Sequence, residues 1–304
     1  MTARHGAALA LLAAIWGGSY LLIKYGLEGF SPGEIVFLRT ALASAVLIAA
    51  ICVQRGESLR ALRAAPRRPG VALLLGFTAI VTPFLLITYG EKVVPSGLTA
   101  VLIAPASLFV ALFAPLLDRS ERIDRSQAGG LVAGLAGVGL LVGVETVSTL
   151  DEFLGAMGIL AASACYALSG FVVKRGFAGT PAIVSSATSC AVGAVVTLPL
   201  AAATAEHSAP GLRAVLAILA LGVIGTAVAF VIFYWLIGEI GAGRASLVSY
   251  LAPGVALFYG ATLLDEHIGW AAIVGLALIL SGVSVAGRRR PAPDAALEGA
   301  TEPA

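Results

Sequence analysis

Charged side chains are scarce in this chain. Of its 304 residues, 12% are Asp, Glu, Lys or Arg, against roughly 25% in soluble globular domains. Asparagine is absent, which excludes N-linked glycosylation. Cysteine is rare, and Cys52, Cys165 and Cys190 are odd in number and far apart, so they predict neither a disulfide framework nor a metal site.

Apolar side chains fill the chain instead, at 59% of all residues. A bilayer core about 30 Å thick is crossed by about 20 apolar residues in a helix. The connections between apolar runs are short and leave no room for a soluble domain. We therefore expect an all-α integral membrane protein with ten transmembrane helices, at about 6–25, 34–53, 70–90, 94–117, 127–144, 154–174, 182–203, 213–236, 245–264 and 269–287.

One pattern of five spans occurs twice. Gly90-Glu91 is echoed by Gly238-Glu239, and each glutamate is followed 14 residues later by a proline, Pro105 or Pro253. Thr78 corresponds to Thr226 in the same alignment, whose offset is 148 to 150 residues. Because each copy has an odd number of spans, the second copy is expected to be inverted in the bilayer. This architecture is typical of secondary transporters.

These observations predict three regions. The first five-helix repeat covers residues 1–144, the inverted repeat covers 145–287, and a disordered cytoplasmic tail covers 288–304. The first apolar run continues too far for a signal peptide and belongs to the repeat, so we interpret it as a retained span.

The basic residues indicate the orientation. If the N-terminus is cytoplasmic, 15 of the 19 Lys and Arg residues fall on the inner side, and the outer loops collect acidic residues. We therefore expect both termini in the cytoplasm. The basic clusters favour contact with anionic lipid headgroups over a nucleic-acid surface.

Several motifs resemble the drug/metabolite transporter superfamily, and among its branches the ten-helix EamA-type exporters. They are Trp16-Gly17-Gly18-Ser19, Pro32 before a span that carries Arg39, and the pairs Ala104-Pro105 and Ala252-Pro253. The acidic residues after Leu117 and Leu264 (Asp118, and Asp265 with Glu266) are similar too. The sequence departs from the family pattern where Ser19 and Tyr20 follow the glycines, and where Asp118 and Asp265-Glu266 replace the usual Gly-Glu.

The resemblance implies a transporter of a bacterial inner membrane that exports small metabolites, most of all amino acids or related carboxylate-bearing compounds, by alternating access. It also implies a central cavity between spans 1–4 and 6–9, with spans 5 and 10 at the periphery or in a homodimer. The alternatives are a multidrug or other metabolite exporter of the same fold, and a non-transporting membrane receptor or scaffold.

An enzyme is not expected. The three histidines (His5, His207 and His267) are far apart and outside the spans, and no nucleophile, metal-ligand or nucleotide motif is present. No cofactor and no metal are predicted.

Arg39 is the most specific candidate for a substrate-binding residue. It lies about 7–8 Å down the second span from Glu34 at 1.5 Å per residue. It either extends outward to pair with Glu34 or Glu28, or faces the cavity and binds a carboxylate. Its repeat counterpart is about Thr188, so a scaffold role shared by both halves does not explain it.

Aromatic and hydroxyl residues on the same spans predict a mixed apolar and hydrogen-bonding cavity for a small amphipathic substrate. Pro105 and Pro253 are expected to interrupt the fourth and ninth spans and to mark a gate, or else to be static kinks. The other predicted substrate-binding residues are Trp16, Ser19, Tyr20, Thr78, Ser107, Tyr166, Ser169, Ser249 and Tyr250.

No Asp, Glu or His lies in the middle of a predicted span, which favours facilitated export over proton coupling. Glu91 and Glu239 would lie at opposite faces. We interpret them as solvated carboxylates beside helix ends rather than as a symmetric pair of gate charges. Lys24, at the end of its span, is interpreted as snorkelling to the interface.

Overall fold

The computed structural model describes residues 2–54, 56–64, 69–117, 125–145, 149–205 and 209–286. The predicted tail at 288–304 and Asp118 lie outside those residues. Within them, nearly all residues are helical and no strand occurs. The helices are α1 (Ala3–Gly26), α2 (Pro32–Gln54), α3 (Gly56–Ala64), α4 (Pro69–Gly76), α5 (Thr82–Gly90), α6 (Ser96–Ile103), α7 (Ala106–Leu117), α8 (Arg125–Glu145), α9 (Leu150–Gly176), α10 (Ala182–Ala203), α11 (Leu212–Gly222), α12 (Ala229–Ile240), α13 (Ala242–Ala245), α14 (Val248–Leu263) and α15 (Trp270–Ala286).

Length and composition make eight stretches of the described chain candidate membrane spans: Ala3–Gly26, Pro32–Gln54, Pro69–Gly90, Ser96–Leu117, Arg125–Val144, Leu150–Gly176, Ala182–Ala203 and Leu212–Ile240. The apolar helices α14 and α15 are shorter. At 1.5 Å per residue, the 16 residues of α14 extend only about 24 Å. The class of multi-span helical membrane protein is confirmed, while the count of ten spans stays a prediction.

Local sequence signals set the beginnings of two helices. Before α2, the Ser31 amide donates to the Glu34 carboxylate at 2.9 Å, and the Glu34 amide donates to Ser31 Oγ at 3.3 Å. Before α9, Thr149 and Glu152 make the same reciprocal pair. These capping boxes satisfy amides that the first helical turn leaves without a partner.

The helices pack in matching combinations across the two predicted repeats. α1 contacts α14 and α12, and correspondingly α9 contacts α6 and α5. α2 packs along α10, and α8 packs along α15. If each helix is replaced by its counterpart in the other predicted repeat, every one of these pairs becomes another observed pair or remains the same pair.

Glycines permit the closest of these contacts. A Cβ on Gly17 would lie 2.8 Å from the Ala252 carbonyl oxygen of α14, and a Cβ on Gly282 would lie 2.5 Å from the Gly130 carbonyl oxygen of α8. Gly130 therefore packs closely against Gly282 of α15, as small residues at helix contacts permit.

Two π-helical segments occur at matching places. Phe77–Val81 joins α4 to α5, and Val223–Val228 joins α11 to α12. Each segment contains one of the two threonines that correspond in the repeat. Thr78 Oγ1 donates to the Leu74 carbonyl at 2.7 Å, and Thr226 Oγ1 donates to the Leu221 carbonyl at 2.9 Å. Such segments are frequent at functional sites.

The two prolines predicted to interrupt spans behave differently. α6 ends at Ile103 and α7 begins at Ala106, so Pro105 does separate two helices. Pro253 lies inside the continuous helix α14, so the prediction that it interrupts the ninth span is wrong. It is the sixth residue of α14, close enough to the beginning of that helix that the ring removes a hydrogen bond without ending it.

The bundle has two distinct ends. The Lys24 end comprises the last turn of α1, the first turns of α2, α6 and α11, and the loops that follow α5 and α14. There Arg213 binds both carboxylate oxygens of Glu28, and the Tyr25 hydroxyl donates to the Leu263 carbonyl at 3.3 Å. The His5 end comprises the beginning of α1 and the end of α12.

Candidate substrate-binding centre

Arg39 lies inside the bundle, with 8% of its surface exposed. Its Nε donates to Thr226 Oγ1 at 2.8 Å, and its guanidinium carbon is 3.8 Å from the centroid of the Phe84 ring. No carboxylate of the described residues is within ion-pair distance of it. Among the described residues, its direct contacts are one hydroxyl and one aromatic face. A buried guanidinium without a carboxylate partner is expensive in a membrane protein, which marks this place as a functional candidate.

The alternative in which Arg39 extends outward to an acidic residue is not what the structure shows. Glu28 takes Arg213 as its partner, and Arg39 contacts Thr226 and Phe84. The reason is the fold: α11 and the π-helical segment after it pack directly against α2. This packing brings the Thr226 hydroxyl to the guanidinium.

Two predicted tyrosines surround Arg39. Tyr20 of α1 and Tyr166 of α9 are half-buried, and each lies close enough to Arg39 to interact with it electrostatically. Both pack on an apolar cluster that includes Ile23 and Ile87. We call Arg39, Thr226, Phe84, Tyr20 and Tyr166 the Arg39 centre; its members come from five different spans.

Trp16 and Ser19 lie along α1 on the side facing the eighth span. The Trp16 ring is 5.1 Å from the Phe233 ring and 6.5 Å from the Phe230 ring. Ser19 is buried, and its hydroxyl donates to the Ile15 carbonyl at 3.0 Å. Ser19 also lies against Gly225, one residue before Thr226. These two residues therefore adjoin the Arg39 centre along α1.

The remaining predicted residues are less concentrated. Thr78 donates to the Leu74 carbonyl, and Ser169 donates to the Tyr166 carbonyl. Each hydroxyl can therefore only accept a hydrogen bond from a ligand. Tyr250 packs with the cluster around Leu102 and Leu257. Ser107 and Ser249 are exposed, and nothing in the structure brings them to Arg39.

The break at Pro105 is compensated from another helix. Because α6 stops at Ile103, the Ile103 carbonyl does not accept the hydrogen bond of a regular helix. The Ser163 hydroxyl of α9 donates to this carbonyl instead, at 3.2 Å. Pro105 itself is buried. In an apolar environment an unpaired carbonyl is costly, so Ser163 stabilises the broken span.

A cavity of about 270 Å³ opens at the Lys24 end. It combines cationic, anionic and apolar side chains, and its volume suits a small solute. The residues lining it are Lys24, Leu27, Glu28, Phe30, Ser31, Pro32, Glu91 and Lys92.

Glu91 borders that cavity, but it is not the solvated carboxylate that was expected. The residue is fully buried, with 0% of its surface exposed, and neither carboxylate oxygen has a hydrogen-bond partner among the described residues. Lys24 Nζ donates to the main-chain carbonyl of Glu91 rather than to its carboxylate. Lys24 therefore does not extend freely to the interface but contacts the loop after α5.

The electrostatic surroundings of Glu91 follow from this burial. Burial raises the pKa of the Glu91 carboxyl well above its usual range; Lys24 lowers it, Glu266 raises it and Arg39 lowers it. Glu266 accepts hydrogen bonds from the amides of Ser96 and Gly97, at 2.6 and 3.0 Å, and so caps the beginning of α6.

The repeat partner of Glu91 has the opposite environment. The Glu239 side chain is 50% exposed and lies 3.6 Å from His5 Nε2 at the His5 end. There the prediction of a solvated carboxylate holds. Two residues that correspond in the sequence repeat thus differ in burial, in partner and in charge surroundings.

Sequence reasoning missed two members of the Arg39 centre and two buried hydroxyls on α10. Phe84 and Thr226 were not recognised as partners of Arg39, although the correspondence of Thr226 to Thr78 was a signal. The Thr188 hydroxyl on α10, at the position that corresponds to Arg39, is buried and has no hydrogen-bond partner among the described residues, and the same holds for Ser185. No sequence signal indicates that these hydroxyls are buried and unpaired.

Comparison with known proteins bears on this site. The sequence model of the EamA-like transporter family matches residues 4–143 and again residues 153–288. The "Uncharacterized inner membrane transporter YedA" of Escherichia coli strain K12 is 28% identical over 279 residues, covering 91% of this chain and 88% of its own. The "Probable terminal-alkyne amino-acid exporter" of Streptantibioticus cattleyicolor is 27% identical over 285 residues, or 93% of each chain.

A solved crystal structure has the same fold. It superposes with a TM-score of 0.66 at 21% sequence identity and covers 94% of this chain and 97% of its own.

Proposed function

Because this chain belongs to the EamA-like transporter family, we propose that it exports amino acids or related carboxylate-bearing metabolites across a bacterial inner membrane by alternating access. One observation carries the substrate class: a buried guanidinium at the meeting point of five spans with no carboxylate partner among the described residues. A relative named as a probable amino-acid exporter is consistent with it.

The geometry of Arg39 suits a carboxylate. Guanidinium has five N–H donors, and Nε is the one that the structure pairs, with Thr226. The Nη groups have no acceptor among the described residues. A substrate carboxylate would accept two parallel hydrogen bonds from them and neutralise the buried charge. A cation left without a counter-ion is stabilised most by the ligand that supplies one.

The rest of the centre suits an amphipathic solute. Phe84, Tyr20 and Tyr166 provide aromatic faces with two hydroxyls, and Trp16 extends this surface along α1. Pockets of this composition bind the apolar part of a small ligand while a few polar groups fix its orientation. The substrate class we propose therefore has a carboxylate and a modest apolar side chain.

The two-repeat architecture suits the conformational change that alternating access requires. Support comes from the family model matching twice, from helix pairs that recur in both halves, and from the two π-helical segments with their threonines. In inverted-repeat transporters the substrate site lies between the repeats, and exchange of their conformations opens it to alternate sides. We propose ten spans and this exchange for the present chain. A homodimer through spans 5 and 10 stays a prediction.

The test is counterflow of a panel of labelled amino acids in proteoliposomes. We expect counterflow of at least one amino acid, and Arg39→Ala should reduce it about tenfold or more, since a hydrogen bond to a charged group contributes about 1.5–3 kcal/mol. Arg244→Ala, at an exposed arginine of α13, is the matched control and should transport normally.

Two outcomes would contradict the proposal. If no amino acid or related carboxylate shows counterflow, the substrate class is wrong while the family membership stands. If Arg39→Ala transports carboxylates as the unsubstituted protein does, Arg39 is a structural residue and the observation that carries the proposal fails.

A further inference from the structure

Glu91 has a carboxylate that the substrate site does not use. Both of its oxygens are buried and have no hydrogen-bond partner among the described residues. An ionised carboxylate removed from water without a partner is strongly disfavoured, whereas the protonated form is neutral. The conformation in this structure is therefore the one that a protonated Glu91 stabilises.

The cations near Glu91 offset only part of the effect of its burial, because neither makes a hydrogen bond to its carboxylate. On α1, Lys24 Nζ donates a hydrogen bond to the main-chain carbonyl of Glu91, and Tyr20 lies deeper in the bundle. Arg39 of α2 is bound to Thr226, and Glu266 from the loop after α14 adds charge of the same sign. Lys92, the next residue along the chain, is exposed.

Elsewhere the surroundings of the loop are uncharged or already paired. α9 packs against the preceding Gly90 through Gly155 and Ile159, which carry no charge. Glu28, across the cavity, is bound to Arg213. No group on these elements therefore supplies a counter-charge to the Glu91 carboxylate.

The cavity at the Lys24 end makes an exposed alternative accessible. Glu91 is one of its lining residues, so a small displacement of the loop after α5 would bring the carboxylate to the cavity and to Lys24. In the other half of the molecule, the corresponding Glu239 is already half exposed and paired with His5. If the halves exchange conformations, as the proposed function requires, Glu91 acquires an environment like that of Glu239.

We propose that Glu91 is a proton-binding site that regulates opening of the Lys24 end. With the proton bound, this end keeps the conformation seen here, in which Glu91 is buried and which we call closed; loss of the proton favours an open conformation that exposes Glu91. The proton enters and leaves from the same end, because Glu91 and the cavity are both there. The proton is thus a regulator of alternation and is not carried across the membrane. This inference rests on the proposed alternating access.

The sign of the pH dependence follows from burial. The pKa of Glu91 is raised in the closed conformation, so the closed conformation is favoured fully at low pH and loses that advantage as the pH rises through the raised value. Between the ordinary carboxyl pKa and the raised one, the ratio of open to closed molecules changes by at most about tenfold per pH unit. Amino-acid exchange should therefore be slower at acid pH.

The experiment compares three proteins at about pH 5 and about pH 8, a range that spans the ordinary carboxyl pKa and values well above it. Amino-acid counterflow in proteoliposomes should be severalfold slower at the lower pH for the unsubstituted protein. Glu91→Gln, which mimics the protonated carboxyl, should be slow at both. Glu57→Gln, which neutralises an exposed carboxylate on α3, is the control and should keep the response.

A second measurement does not depend on the substrate. In a chain whose native cysteines are replaced by alanine, Leu27→Cys lies on the cavity wall, and its labelling by a maleimide should be faster at the higher pH. Adding Glu91→Gln should abolish that difference. Labelling rates are normalised to an unfolded sample at each pH, because thiolate formation itself rises with pH.

The outcomes separate this inference from the proposed function. Equal responses of the unsubstituted protein and Glu91→Gln, in counterflow and in labelling, would overturn the proton site while leaving amino-acid transport in place. Absence of counterflow together with pH-dependent labelling that requires Glu91 would support the proton site and reject the substrate class. If Glu91→Gln does not fold, a pH-independent labelling rate in the Leu27→Cys protein alone would reject the inference.

Discussion

At the scale of single residues, Arg39 is stabilised by two contacts of different kinds. The hydroxyl of Thr226 accepts from Nε and fixes the plane of the guanidinium, while the Phe84 ring covers one face. A cation over an aromatic face gains about 2 kcal/mol or more when both are desolvated. Thr226 is the positioning residue, because it orients the Nη groups that the proposed substrate would contact.

Thr226→Val keeps the shape of the side chain and removes the acceptor. We expect the KM for a transported carboxylate to rise about tenfold with a smaller change in maximal rate, since a hydrogen bond to a charged group contributes about 1.5–3 kcal/mol. The measurement is the concentration dependence of counterflow. Thr197→Val, at a buried threonine that bonds its own helix, is the control; an unchanged KM for Thr226→Val would contradict the positioning role.

At the scale of the helices, the break between α6 and α7 depends on a contact from α9. Pro105 cannot donate a backbone hydrogen bond, and Ser163 supplies a donor to the Ile103 carbonyl next to the break. The corresponding proline, Pro253, leaves α14 continuous. The fourth and ninth spans thus differ in continuity at their corresponding prolines.

Ser163→Ala tests this contact. Loss of the donor should lower the stability of the folded protein by about 1–3 kcal/mol, because the buried carbonyl is left unpaired, and thermal unfolding of the purified protein in detergent would show it. Ser281→Ala removes an exposed hydroxyl that bonds its own helix and should have almost no effect. Equal unfolding temperatures for both variants would mean that the break needs no partner.

At the scale of the whole molecule, the two ends of the bundle differ in chemistry. The Lys24 end has the cavity, the Glu28–Arg213 pair and the buried Glu91. The His5 end has the bridge between His5 and Glu239, and Arg4 over the Trp235 ring. The distribution of basic residues predicts that the His5 end faces the cytoplasm.

Cysteine labelling of intact cells measures this orientation. In a chain without native cysteines, Glu28→Cys should react with a membrane-impermeant maleimide, whereas Arg244→Cys should react only after the membrane is permeabilised. Both positions are exposed in the structure, so the difference reports sidedness rather than burial. The reverse pattern would place both termini outside.

The sequence by itself determined the class of this protein. The length of an apolar run and the scarcity of charge follow directly from composition, because a bilayer requires about 20 apolar residues per helix whatever the neighbours are. The repeat, the candidate Arg39 and the positions of Pro105 and Tyr166 were likewise readable along one chain. The family match and the helical spans confirm the class of the protein, while the inverted repeat and the site residues stay predictions.

The tertiary structure decided what those residues contact. Arg39 meets Thr226 across 187 positions of sequence, and α6 is capped by Glu266 from 170 positions away. Whether Glu91 is solvated or buried depends on how the loops after α5 and α14 close over it. Burial and pairing are properties of neighbours brought together by packing, so a pattern in one chain predicts that a charge is present but not whether it has a partner.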